Sequence, residues 1–226
     1  MSQLSHACLI AGLALAAGGA SAQEPANDDP HAWLEDVAGE KQLDWVKARN
    51  AKAEAELAST PEFKSLEAEI LAILDSDAKI PGVYKQGEWY YNFWQDKQNP
   101  RGIWRRTSLA EYRKPSPRWE TVLDIDALNK AENENWVWHG ANCLRPAYDR
   151  CLIALSRGGA DADVTREFDV ASRSWIKDGY FRPEAKGGVS WIDQDNVFVF
   201  TDFGDGTLTT SGYPRIAKLW KRGTPL

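Results

Sequence analysis

The chain has 226 residues, with 33 acidic and 27 basic side chains and a formal charge of −6. That balance excludes the basic stripe that a nucleic-acid or anionic-membrane binder needs. With 27% charged and 43% hydrophobic residues, a disordered chain and a polytopic membrane protein are excluded as well. Eleven Trp beside seven Phe and seven Tyr favour pleated, half-buried strands over a helical bundle. The composition predicts a soluble, globular, mainly β protein.

Residues 1–22 have the pattern of a cleavable export signal. Leu9 to Ala17 is an apolar run too short to span a bilayer, and Ala20-Ser21-Ala22 is a small-x-small cleavage site. A buried helix is the competing reading. Against it stand the N-terminal position, the absence of acidic residues before Glu24, and the polar turn of composition after Ala22. Cleavage after Ala22 predicts a periplasmic or secreted protein with no membrane span. The mature chain would keep its charge of −6 and two cysteines, Cys143 and Cys151.

From Trp33 to Leu74 the pattern is helical. Leu43, Val46 and Asn50 recur at helical spacing, and the Ala/Glu/Lys-rich stretch to Leu57 has high helix propensity. Ser59-Thr60-Pro61-Glu62 marks a break and a second helix start, and Phe63, Leu66, Ile70, Ile73 and Leu74 give that helix an apolar face. Pro81-Gly82 ends the helical section, so a segment 23–80 precedes a β section 81–226.

Beyond residue 82, strands are predicted at 88–95, 103–107, 136–143, 151–156, 164–170, 189–192 and 197–201. Comparable turns fall near residues 101, 158 and 205, at intervals of 57 and 47 residues. Antiparallel units recurring at roughly 40–60 residues suggest propeller blades, with a β-sandwich as the alternative.

Several motifs in order carry a family resemblance. Asp29-Pro30-His31-Ala32-Trp33-Leu34-Glu35-Asp36, followed by Trp45-Val46 and Asn50, resembles the opening of the prolyl oligopeptidase family. Asn99 to Thr107 resembles its first blade; Leu155 to Asp161 and Arg166 to Asp169 resemble its second. Thr210 to Arg215, with Leu219 to Gly223, resembles a bacterial branch. The resemblance implies an N-terminal helical segment that packs on a C-terminal α/β-hydrolase domain, and a seven-bladed propeller that gates short proline-containing peptides. It also implies a serine endopeptidase with a Ser-Asp-His triad in the C-terminal domain and no cofactor. Seven blades of roughly 50 residues need about 350 residues. The expected fold is therefore mainly β: a partial antiparallel β-propeller of about three blades, preceded by two α-helices, with the hydrolase domain as its missing partner. The resemblance further implies a substrate-facing aromatic at Phe168; a place in the blade core is the other reading for that residue.

The residues themselves offer no catalytic constellation. No Ser has Gly at both −2 and +2, as a nucleophile elbow requires. His31 lies in the opening motif, and His139 is expected at a strand end as a packed or solvated side chain. No His pair at helical spacing and no C-x-x-C points to a metal. Asp193-Gln194-Asp195-Asn196 lacks the Gly and closing Glu of a calcium loop, and is expected to be a polar hairpin turn. Gly204-Asp205-Gly206 is likewise expected to be a turn, and Asp126, Glu132 and Glu134 a solvated acidic loop. Catalytic and metal-binding residues are thus expected to be absent, and the chain inactive alone. A non-catalytic binding or structural module of the same β units is the alternative. Cys143 and Cys151 stand at the end of one predicted strand and the start of the next. In an exported chain they either form a disulfide or pack as two buried thiols.

Overall fold

The computed structural model describes residues 29–226, so the expected signal segment and Ala22 lie outside it. The chain divides into two compact units, one ending at Lys64 and one running from Ser65 to Leu226.

In the first unit a short 3-10 turn, Ala32–Glu35, leads into helix α1 (Glu40–Ala53), which continues as a π-helical stretch at Glu54–Ala58. Helix α2 (Pro61–Asp75), which runs across the Lys64 boundary into the second unit, starts with Pro in its first turn, while the Thr60 hydroxyl accepts the Phe63 N–H at 3.2 Å. Trp33 meets Trp45 edge to face at 6.1 Å, and the His31 ring lies 6.4 Å from the same indole. The opening motif is therefore a small aromatic cluster, with His31 among its packing residues. No residue of α1 or α2 is buried, and Leu66, Ile70, Ile73 and Leu74 are all exposed.

The second unit holds three antiparallel sheets. The first runs in the order β1 (Tyr84–Gln86), β2 (Trp89–Trp94), β3 (Ile103–Ser108), β4 (Glu120–Asp124). In the second, β5 (Trp136–Cys143), β6 (Arg150–Arg157), β7 (Asp163–Asp169) and β8 (Ser174–Trp175) follow one another, and β9 (Phe181–Ala185) also pairs with β7. The third comprises β10 (Gly188–Trp191), β11 (Asn196–Phe200) and β12 (Ala217–Lys221). Each sheet is a meander in chain order, as in a propeller blade. The turns near 101, 158 and 205 all join the second strand of a sheet to the third. Five strands escape the sequence reading: the short β1, β4, β8, β9 and β12.

Burial explains the strand sequences. On β6, Cys151, Ile153 and Leu155 pack toward the first sheet, whereas Leu152 joins the core shared with the third. A strand covered on both faces needs an unbroken apolar run, and Cys151 to Leu155 supplies one. Between the first two sheets the rings stack: Tyr91 on Trp104 at 5.2 Å, Phe93 on Trp138 at 5.1 Å, Trp104 beside Trp138 at 5.5 Å. Tyr180, Val197, Val199, Leu152 and Trp220 form the second core. On β11, strict alternation buries Val197 and Val199 and leaves Phe198 52% and Phe200 42% exposed on the opposite face.

Two expectations need correction. The acidic run at Asp126, Glu132 and Glu134 is no solvated loop: Asp126 and Glu132 lie on helix α4 (Ile125–Glu132). Asp124 caps that helix by accepting the Ala127 N–H at 2.9 Å, and Asn133 ends it in the left-handed region at φ 52°. Asp126 accepts the N–H groups of Arg101 and Gly102, Glu132 pairs with Arg166 at 2.8 Å, and Glu134 with Arg157 at 2.7 Å. A further short helix, α3 (Leu109–Tyr112), is capped by Ser108. His139, in turn, sits within β5 where the register with β6 shifts, not at a strand end.

Candidate functional site

The chemistry-bearing side chains gather at the seam between the second and third sheets. Glu167 alternates on β7 with Phe168, so the two face opposite sides of the strand. The Glu167 carboxylate is fully buried and accepts Arg222 through both terminal nitrogens, at 2.8 and 2.9 Å. The Tyr180 N–H donates at 2.8 Å and Arg150 at 3.3 Å. Burial alone would raise the Glu167 pKa, but the Arg222 and Tyr180 hydrogen bonds outweigh it and hold the carboxyl below its usual range.

Four residues earlier on β7, Asp163 holds the buried guanidinium of Arg182, which also donates to Thr165 Oγ1 at 3.2 Å and to the Ala185 carbonyl at 2.8 Å. Burial lowers the Arg182 pKa, with Asp163 pulling against it. His139 Nδ1 stands 3.6 Å from the second Asp163 oxygen. This group borders a cleft of about 260 Å³ that Leu152, Gly187, Gly188 and Val189 also line. Gly187 is fixed as glycine by its φ of 143° and by the Phe200 carbonyl, which fills the place of a Cβ.

The long β11–β12 connection is pinned to the second sheet. The Tyr213 hydroxyl donates to Asp161 at 3.0 Å, and Lys186 donates to the Ser211 carbonyl at 3.0 Å while lying over the Tyr213 ring. The Thr210 to Arg215 motif thus sits against the Arg157–Asp161 turn.

A His–Asp pair alone does no acyl transfer: among the described residues no serine hydroxyl hydrogen-bonds His139, and Asp163 is committed to Arg182. No described group of three His, Cys, Asp or Glu side chains could hold a metal ion. Asp193 accepts the Asp195 N–H at 2.8 Å and Asn196 Nδ2 at 2.9 Å, closing the β10–β11 hairpin turn. Gly204 and Gly206 occupy the β11–β12 loop at φ 98° and 75°. Phe168 is 1% exposed, edge-to-face with Trp175 at 5.1 Å, so its side chain belongs to the core between the first and second sheets. Cys143 pairs with Cys151 in the β5–β6 register, with Cα atoms 3.9 Å apart and the sulfurs joined. Sequence reasoning missed Glu167, Arg222, Asp163 and Arg182. The available signal was a charge set within an apolar strand pattern, as in Thr165-Arg166-Glu167-Phe168.

Three antiparallel meanders packed face to face have the form of consecutive β-propeller blades. Residues 20–226 match the family model described as the prolyl oligopeptidase N-terminal β-propeller domain, and the chain belongs to that family. It is 42% identical over 200 residues to an uncharacterized peptidase, y4nA, of Sinorhizobium fredii, covering 88% of this chain and 27% of that protein. An uncharacterized peptidase of Rickettsia prowazekii is 34% identical over 202 residues, covering 84% of this chain and 28% of its own length. Among solved structures, a post-proline cleaving enzyme from Rickettsia typhi superimposes with a TM-score of 0.75 at 33% identity, over 85% of this chain and 29% of that one. The chain therefore spans little more than a quarter of the relatives it matches.

Proposed function

We propose that this chain is the N-terminal part of an exported serine-type endopeptidase of the prolyl oligopeptidase family, whose propeller gates short proline-containing peptides. In this reading a Ser-Asp-His triad lies in the length that the relatives have beyond the match, within an α/β-hydrolase domain. Helix α2 offers that domain the exposed apolar side chains of Leu66, Ile70 and Leu74. Export follows from the segment ending at Ala22. The observation that carries the reading is the 33% identity, over 85% of this chain, to an enzyme that cleaves after proline.

The test is a chimera in which this chain replaces the matched 200 residues of the Sinorhizobium fredii peptidase. It is expected to cleave a proline-containing chromogenic peptide and to take one equivalent of a serine-directed fluorophosphonate. The isolated chain should do neither. Stoichiometric labelling of the isolated chain, or a folded chimera that takes the probe but spares proline peptides, would overturn the assignment.

A further inference from the structure

Arg105 is a buried cation with no salt bridge among the described residues; Asp96 acts on it only through its field. On β3 it alternates with Trp104, which packs toward the second sheet against Trp138 and Phe168. A β-bulge against β4 falls between the two residues, but the unbroken register with β2 sets Arg105 opposite Asn92 and on the face of Trp94, away from the second sheet. There its guanidinium is clamped between two indoles, 4.1 Å from the Trp94 centroid and 4.2 Å from that of Trp119, and the residue is only 9% exposed. Its Nε donates to Asn92 Oδ1 at 3.0 Å, and Asn92 is held in turn by donating to the Gly82 carbonyl at 2.7 Å. Among the described residues no ion pair forms with Arg105, and neither terminal nitrogen has a hydrogen-bond partner. The nearby Asp96 is occupied with Trp94 Nε1 at 2.7 Å and Asn99. Burial draws the Arg105 pKa down to about 10, and the Asp96 charge only partly offsets it.

An indole face attracts the cation but accepts no in-plane N–H, so four of the five guanidinium N–H bonds point out of the clamp unused. Neither terminal nitrogen is among the fully buried unpartnered atoms, so both reach solvent at the edge of the clamp. That edge matches an anion with two coplanar oxygens. Lys79, over the other part of Trp94 at 5.1 Å, adds positive charge beside the slot.

We infer that Arg105 docks a carboxylate, supplied by an Asp or Glu of the part of the longer polypeptide that covers the outer face of the first sheet. The inference rests on the proposed function, since the covering segment belongs to the length the relatives have and this chain does not span. A protein segment suits the site because the slot lies on a broad sheet face and not in a closed cavity.

The experiment uses the same chimera, with Arg105→Met and Arg105→Lys, each followed by urea unfolding between pH 4 and 7. Removing the cation would strand a buried carboxylate, so Arg105→Met is expected to raise the unfolding equilibrium constant about 100-fold at pH 7. That penalty should shrink toward pH 4, as the stranded carboxyl takes up a proton, and Arg105→Lys should fall between. Asp96 loses its attraction to Arg105 in Arg105→Met, but equally in chain and chimera, so the difference between the two isolates the docked carboxylate. In the isolated chain Arg105→Met should be neutral or stabilising. A penalty independent of pH, or one equal in chain and chimera, would overturn the inference. So would stabilisation of the chimera by Ala-Pro with a free carboxylate but not by its amide, lost in Arg105→Met, because the anion would then be peptide. Post-proline activity of the parent chimera reports on the proposed function separately.

Discussion

Arg222, in the turn after the last strand of the third sheet, grips Glu167 in the middle of the second sheet with two hydrogen bonds of 2.8 and 2.9 Å. The pair joins residues 55 positions apart in sequence and crosses the seam that Tyr180 and Trp220 fill. Replacing Arg222 by Met removes one partner and leaves a buried carboxylate with only Arg150 and the Tyr180 N–H. Losses of about 3 kcal/mol are typical for such a change. Urea unfolding should show that decrease for Arg222→Met and a smaller one for Glu167→Gln, which removes the charge itself. Equal stability of wild type and Arg222→Met would show the pair to be idle.

The same carboxylate sets an acid limit. Its folded-state pKa lies below that of an unfolded Glu, about 4.3. The folded form therefore binds the proton less readily than the unfolded chain. Its contribution is complete above the unfolded value and fades as the pH falls through the folded one. Stability measured from pH 7 down to pH 3 should drop in wild type, and the gap to Glu167→Gln should narrow over the acid end of that range. A gap that stays constant would assign the acid sensitivity to other groups.

Cys143 and Cys151 offer a third check. Non-reducing peptide mapping of protein purified without reductant should return a single bridged peptide and no alkylatable thiol. Replacing both cysteines by Ala should cost roughly 2–3 kcal/mol on the chain-entropy account of a short loop. Two free thiols in that material would contradict the bridge.

What the sequence reveals and what it hides follows from the range of the interactions. The strands around the turns near 101, 158 and 205 are legible because alternation and turn residues are local signals. Helix α4 is misread because eight residues with Asp126 and Glu132 resemble a loop in charge. Its helical marks are the Asp124 cap, the Ile125–Leu128 spacing and the left-handed Asn133. The ion pairs of the seam are illegible, since Arg222 and Glu167 meet only after two sheets have formed. Phe168 shows the limit of an inferred role: the motif places it in a blade, but strand parity decides that its ring enters the core.

The distance in sequence between Glu167 and Arg222 also imposes an order on biosynthesis. At about 5–20 residues per second, a ribosome needs roughly 3–11 seconds to add the 55 residues between them. During that interval the nascent second sheet holds a carboxylate in its interior served by Arg150 alone among charged partners. The Glu167 carboxylate gains its bidentate partner only when residue 222 reaches the second sheet, so this contact is among the last the sheet can make.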